Sequence, residues 1–274
     1  QVPSATWSMP DDLCEHWPEL SAADREACSE ALRYLQERLH RLRERYPPIG
    51  HVACSGHAHI DLAWLWPQSQ TPLKVQRTFS TVADLLDRYP DFRFAHSSAA
   101  MYARLREDDP ALFERVRAHV VAGQWELSGG FWVESDTMMP TGEALLRQGL
   151  YRQRYFEEEF GYRCRTAWLP DCFGFSANLP QIFRQVGLDS FFTAKLFWSE
   201  WNPFPHTTFS WRGIDGSEVF AHNVRDETAG WRGQRHPGYS GELCPAEILS
   251  TWQLHADKDI HREALAPVGH GDGG

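Results

Sequence analysis

Ser55-Gly56-His57-Ala58-His59-Ile60-Asp61-Leu62-Ala63-Trp64 sets two imidazoles and a carboxylate at alternating positions, directly after the apolar run His51-Val52-Ala53-Cys54. Successive side chains of a β-strand face opposite sides. If the apolar run is a buried strand, residues 57, 59 and 61 therefore point one way at the place where it ends. Strand ends carry the sites of α/β folds, because loops there vary without disturbing the core. An imidazole and a carboxylate two residues apart can reach one divalent ion, and Zn2+ accepts that nitrogen and oxygen mixture at roughly 2.0–2.2 Å. The other reading is a polar strand exit whose histidines cap backbone groups. Trp64, a bulky indole just beyond the carboxylate, favours the metal.

Outward from this stretch the pattern is strand then helix, repeated. Val75, Phe79, Val82 and Leu85 recur at helical spacing, and Phe92-Arg93-Phe94-Ala95 is a short strand. Helices are expected at 99–107 and 110–121, then a strand at 124–128 running into Gly129-Gly130. A helix over 141–160 would turn Leu145, Leu146, Leu150 and Phe156 inward, followed by a strand at 165–169, a helix at 180–186 and a strand at 191–194. Such alternation implies a parallel sheet or an incomplete (β/α) barrel covered by helices. Residues 209–211 and 218–221 flank Asp215-Gly216 as a hairpin. The polar segment 225–244 reads as a long loop at the active face, 245–257 as a helix, and 266–274 as a strand whose exit loop has just begun. A chain ending there is expected to be truncated. Upstream, residues 1–20 read as irregular. Ser21 is a plausible N-cap with Asp24 three residues on, and Cys28, Ala31, Leu32, Leu35, Leu39 and Leu42 mark a helix over 22–45 stopped by Pro47-Pro48. The expected organisation is an N-terminal helical segment, 1–48, and an α/β catalytic domain, 49–274, incomplete at its C-terminus.

Composition narrows the function. The 274 residues allow one large α/β domain or two smaller ones, and no apolar run approaches the ~20 residues that span a bilayer. A formal charge of −10 disfavours nucleic acid or an anionic membrane as partner. The six cysteines, at 14, 28, 54, 164, 172 and 244, form no CxxC, which favours free thiols in a reducing compartment. Gln1-Val2-Pro3-Ser4-Ala5 lacks a basic segment with a following apolar stretch, so the expected location is cytoplasmic. Twelve tryptophans suit the flat faces of sugars, but they also suit a core.

Three further strand exits carry acids. They are Trp168-Leu169-Pro170-Asp171-Cys172-Phe173-Gly174-Phe175, Gly129-Gly130-Phe131-Trp132-Val133-Glu134-Ser135-Asp136, and the terminal loop with Asp272. Asp171 sits between a rigid proline and a glycine-relieved turn, and alone it could be an Asx-turn. Acids after several strands, with His-x-Asp after the first, converge on one face in this architecture.

Gly56-His57-Ala58-His59-Ile60-Asp61-Leu62-Ala63-Trp64-Leu65-Trp66-Pro67 resembles the zinc-site opening of the glycoside hydrolase family 38 α-mannosidases. The likeness continues through Gly129–Glu134, Trp168–Gly174, Leu179-Pro180-Gln181-Ile182, Phe204–Trp211, Asp215-Gly216-Ser217 and Gly269–Gly274. It spans about 50–274 and is nearer the cytosolic/vacuolar branch than the Golgi or lysosomal one. The resemblance implies His59 and Asp61 as zinc ligands and Asp171 as both ligand and nucleophile. It implies Asp272 as general acid/base, and His57 as a supporting histidine that is not a ligand. Trp64 is similar to the aromatic platform under the mannose, Phe173 would line that subsite, and Lys195 falls where the family has a cation beside the nucleophile. Such a cation keeps Asp171 ionised, although an ordinary salt bridge is the alternative. The implied chemistry is retaining hydrolysis of α-mannosyl linkages in mannose-containing oligosaccharides, with the two carboxyls about 5–5.5 Å apart. The family's fourth zinc ligand is a histidine far downstream, beyond this chain. The fragment is therefore expected to bind metal loosely and to be weak or inactive alone. Competing readings are a metal-dependent polysaccharide deacetylase-like hydrolase and a non-catalytic carbohydrate-binding remnant.

Overall fold

The computed structural model describes residues 21–197, 201, 202, 204–225 and 238–272. The expectations for 1–20, for most of the 225–244 loop and for the last two glycines lie outside these residues. The chain divides into two compact units, Gln1–Ile49 and Gly50–Gly274. In the first, α1 spans Ala22–Arg45, with the Ser21 hydroxyl accepting the Asp24 N–H at 3.1 Å as an N-cap. None of its residues is buried, and Leu32, Leu35, Leu39 and Leu42 form an exposed stripe.

The second unit runs β1 (His51–His57), a 3-10 turn (Gln68–Gln70), α2 (Thr71–Arg88), β2 (Phe94–His96), α3 (Ala99–Asp108), α4 (Pro110–Val121) and β3 (Trp125–Leu127). It continues α5 (Gly142–Phe160), β4 (Thr166–Trp168), α6 (Leu179–Gln185), β5 (Ser190–Thr193), β6 (Thr208–Arg212), β7 (Glu218–Asn223), α7 (Pro245–Leu254) and β8 (Glu263–Val268). Two four-stranded sheets result, ordered β3-β2-β1-β8 and β4-β5-β7-β6. The first is wholly parallel; in the second only β6, the outgoing arm of the 215–217 hairpin, runs antiparallel, against β7. This is the α/β class expected from the alternation. No helix among the described residues is long and apolar enough to cross a membrane.

The core follows the helical period. Val75, Phe79, Val82 and Leu86 of α2 are buried in one cluster with Phe94, Tyr102 and Trp125, and Phe79 meets Trp125 edge-on at 4.9 Å. Burying each such side chain contributes about 1.5–3 kcal/mol. A second cluster gathers Leu169, Leu179, Phe183, Phe191 and Val219, and a third Trp168, Phe192, Ala194 and Val224.

Three local expectations shift. In α5 the inward face is Leu145, Gly149, Arg152, Gln153 and Phe156, while Leu150 is 49% exposed. Polar side chains win the inward places because buried carbonyls need donors: Arg152 donates to the Leu127 and Ser128 carbonyls at the end of β3, and Gln153 to those of Cys164, before β4, and Val186, at the end of α6. The strand expected at 92–95 starts at Phe94. Helix α7 stops at Leu254 because the residues after it face Thr207. Asp257, 8% exposed, accepts the Thr207 and Thr208 N–H groups at 2.7 and 2.9 Å, the Thr207 hydroxyl at 3.1 Å and His206 Nδ1–H at 2.8 Å. Those bonds hold its carboxyl down at about 2, although burial alone would raise it.

Candidate metal centre

The site forms where strands leave the two sheets. At the end of β1, His57 is fully buried; its Nδ1–H donates to Ala95 O of β2 at 2.9 Å, and its Nε2 accepts Trp168 Nε1–H of β4 at 3.3 Å. Burial pushes it down to about 4, so it stays neutral and joins the two sheets. Both ring nitrogens are engaged, and neither is left for an ion.

His59 turns the other way. Its Nε2 lies 3.0 Å from Asp61 Oδ1 and 3.5 Å from Asp171 Oδ2, while Nδ1 faces Glu134 Oε2 at 3.2 Å. Burial opposes a charge on the ring, but the Glu134 and Asp61 carboxylates outweigh it and raise the imidazole to about 10. The surrounding acids thus favour positive charge at this ring.

Asp171 follows β4, with Pro170 O accepting the Ala194 N–H at 3.2 Å and so tying the turn to the end of β5. Its Oδ1 pairs with the buried Lys195 ammonium at 2.7 Å. His59, Asp61 and Asp171 each offer a donor atom, and these atoms all lie within 4.8 Å of one another. One imidazole nitrogen and two carboxylate oxygens suit a borderline divalent ion such as Zn2+, so the residues fit a metal.

Asp272, on the exit loop of β8, has φ 60°, one of two non-glycine residues with positive φ among those described. Its Oδ1 accepts the Asp61 N–H at 3.4 Å and its carbonyl accepts Lys74 Nζ at 3.4 Å. Such backbone strain persists where surrounding contacts impose it. The structure thus brings His59, Asp61, Asp171, Lys195 and Asp272 together. The two aromatic residues stand in solvent: Trp64 is 62% exposed, edge-on to Trp66, and Phe173 is 75% exposed, with Lys195 Nζ 5.4 Å from its ring.

Two neighbours were not singled out from sequence. Tyr239 packs edge-on to His59 at 5.2 Å and hydrogen-bonds Asp171; burial, then the Asp171 charge, push its phenol up. It lies in a glycine-rich loop where no periodicity marks it. Glu134 was visible as an acid at a strand exit but carried no assigned role.

The sequence model of the glycosyl hydrolases family 38 N-terminal domain matches residues 50–274. Alpha-mannosidase G of Dictyostelium discoideum is 44% identical over 219 residues, 80% of this chain and 19% of that protein. Alpha-mannosidase 2C1 of Homo sapiens is 40% identical over 223 residues, 81% of this chain and 20% of that protein. The chain therefore spans about a fifth of the length of these curated relatives. A crystal structure of an alpha-mannosidase from Enterococcus faecalis shares the fold, with a TM-score of 0.62 at 19% identity, over 81% of this chain and 25% of that one. With its His-x-Asp and Asp171 donors converging on that fold, the chain belongs to the glycosyl hydrolases family 38 N-terminal domain family.

Proposed function

We propose that this chain forms the zinc-binding and nucleophile-bearing part of a retaining α-mannosidase acting on terminal α-mannosyl linkages of oligosaccharides. The observation that carries the reading is Asp171, held between the Lys195 ammonium at 2.7 Å and the His59 ring at 3.5 Å while grouped with Asp61.

His59, Asp61 and Asp171 would hold the ion. Bound zinc supplies Lewis acidity and a template for the cis oxygens of mannose. The Lys195 ammonium pairs with Asp171 Oδ1, and the Tyr239 hydroxyl, hydrogen-bonded to the same carboxylate, fixes its orientation. The Asp171 carboxylate attacks the anomeric carbon as the bond to the departing oxygen breaks, and Asp272 donates its proton to that oxygen. A water then attacks the same carbon and gives its proton to Asp272, and Asp171 is released as carboxylate. Trp64 and Phe173 offer aromatic surface for sugar C–H faces.

A chromogenic α-mannoside tests this, with the chain assayed alone and in the longest natural polypeptide that contains it, zinc supplied. Asp171→Asn should lower turnover at least ~10³-fold, in line with loss of a covalent nucleophile. Turnover that survives Asp171→Asn in the longer polypeptide would refute the assignment.

A further inference from the structure

His59 has two ring nitrogens, and only one faces Asp61 and Asp171. The other, Nδ1, faces Glu134 Oε2 at an ion-pair distance of 3.2 Å, and both atoms are fully buried with no hydrogen-bond partner among the described residues. Glu134 thus lies across the imidazole from the two aspartates and outside the donor group. Its second oxygen is taken as well: Oε1 accepts the hydroxyl of buried Ser97.

The backbone that carries this pair is fixed on every side. Ser97 ends the β2 exit and is followed by Ser98 in the left-handed region, φ 64°. Gly129, φ 88°, passes so close that a Cβ there would lie 2.7 Å from Ser97 Cβ, so glycine is what lets the two exits meet. The loop is then pinned by Trp132 N–H to Gln148 O at 3.1 Å, Val133 N–H to Gln148 Oε1 at 3.1 Å, and Ala100 N–H to Trp132 O at 3.0 Å. A carboxylate delivered by so constrained a loop to an imidazole nitrogen with no other partner has one evident use. It keeps the N–H on Nδ1, locks the ring plane and leaves Nε2 with its lone pair directed at the metal position.

We infer that Glu134 is the positioning residue of this centre, acting through His59, with Ser97 holding Glu134 in turn; the inference rests on the metal reading proposed above. The class of ligand it serves is a divalent cation bound by His59 Nε2.

The test measures Zn2+ affinity by competition with a chromophoric chelator, the visible spectrum of the Co2+-loaded protein, and the thermal midpoint of the metal-free protein. Glu134→Ala should weaken Zn2+ binding by about 10–100-fold and alter the Co2+ bands. Glu134→Gln keeps an oxygen for Nδ1–H and an amide donor for Ser97, and should recover affinity to within about fivefold of the parent. Ser97→Ala should shift affinity in the same direction as Glu134→Ala, but less. Should Glu134→Ala fail to fold, as its metal-free melt would show, the comparison of Glu134→Gln and Ser97→Ala with the parent decides. Glu134→Ala binding zinc as tightly as the parent with unchanged Co2+ bands overturns the inference while leaving the metal centre standing, as does Glu134→Gln binding as weakly as Glu134→Ala. A parent that binds no zinc overturns the metal centre and this inference with it.

Discussion

Asp257 offers a test of the fold that is independent of catalysis. Its carboxylate accepts two backbone N–H groups, a threonine hydroxyl and an imidazole N–H, and its pKa stands at about 2 against an ordinary 3.8. A folded pKa below the unfolded one stabilises the fold above about pH 4, and that contribution is lost as pH falls toward 2. The difference between the two pKa values corresponds to about 2 kcal/mol at neutral pH, of which roughly half is gone at pH 3. Asp257→Asn replaces one charged acceptor oxygen with an amide donor aimed at existing donors, so it should remove at least that amount. Urea denaturation of parent and variant at pH 7 and pH 3 measures it: the gap should be about 2 kcal/mol or more at pH 7 and shrink by about 1 kcal/mol at pH 3. A gap that stays constant between the two pH values would show that the bonds to the charged carboxylate do not stabilise this turn.

Two further outcomes follow from the site and its closure. Zn2+ must displace the proton that His59 holds at a pKa of about 10, so affinity should rise with pH, up to about tenfold per unit in the neutral range. Calorimetry in buffers of different ionisation enthalpy should report about one proton released per ion near pH 7, and zero release would contradict the His59 assignment. Gly269→Ala places a Cβ 1.8 Å from the His57 carbonyl oxygen, a backbone atom that cannot swing aside. The variant should lose more than about 3 kcal/mol or fail to fold, and a thermal midpoint within a few degrees of the parent would show that β8 can move away from β1.

The alternation of strand and helix was legible because α2 and the strand runs carry strong periodic apolar patterns, and the hairpin because Asp215-Gly216 is a turn signal. What sequence misplaced was governed by partners. The inward face of α5 could not be read from its leucines, since Arg152 and Gln153 turn inward to buried carbonyls that distant segments bring there. In the site, His59, Asp61 and Asp171 stood at strand exits, and α/β topology sends strand exits to one face. Tyr239 was hidden because its role depends on a loop's path rather than on its neighbours in sequence. Glu134 was visible as an acid, yet which oxygen faces which nitrogen is a fact of three dimensions. His57 was expected to support the site; its two hydrogen-bond partners lie on two different sheets, a placement no spacing rule could supply.

The pairing of β1 with β8 has a consequence for biosynthesis. His51 opens the strand that must wait for Glu263, roughly 200 residues later, before its second edge is covered along six residue pairs. A ribosome adding about 5–20 residues per second leaves that edge open for roughly 10–40 s. Throughout that interval β1 presents unpaired N–H and C=O groups to any other nascent strand. His57 thus lies on a strand whose second edge stays open until β8 emerges, and Asp272, on the exit loop of β8, can reach the Asp61 N–H only after β8 has left the exit tunnel.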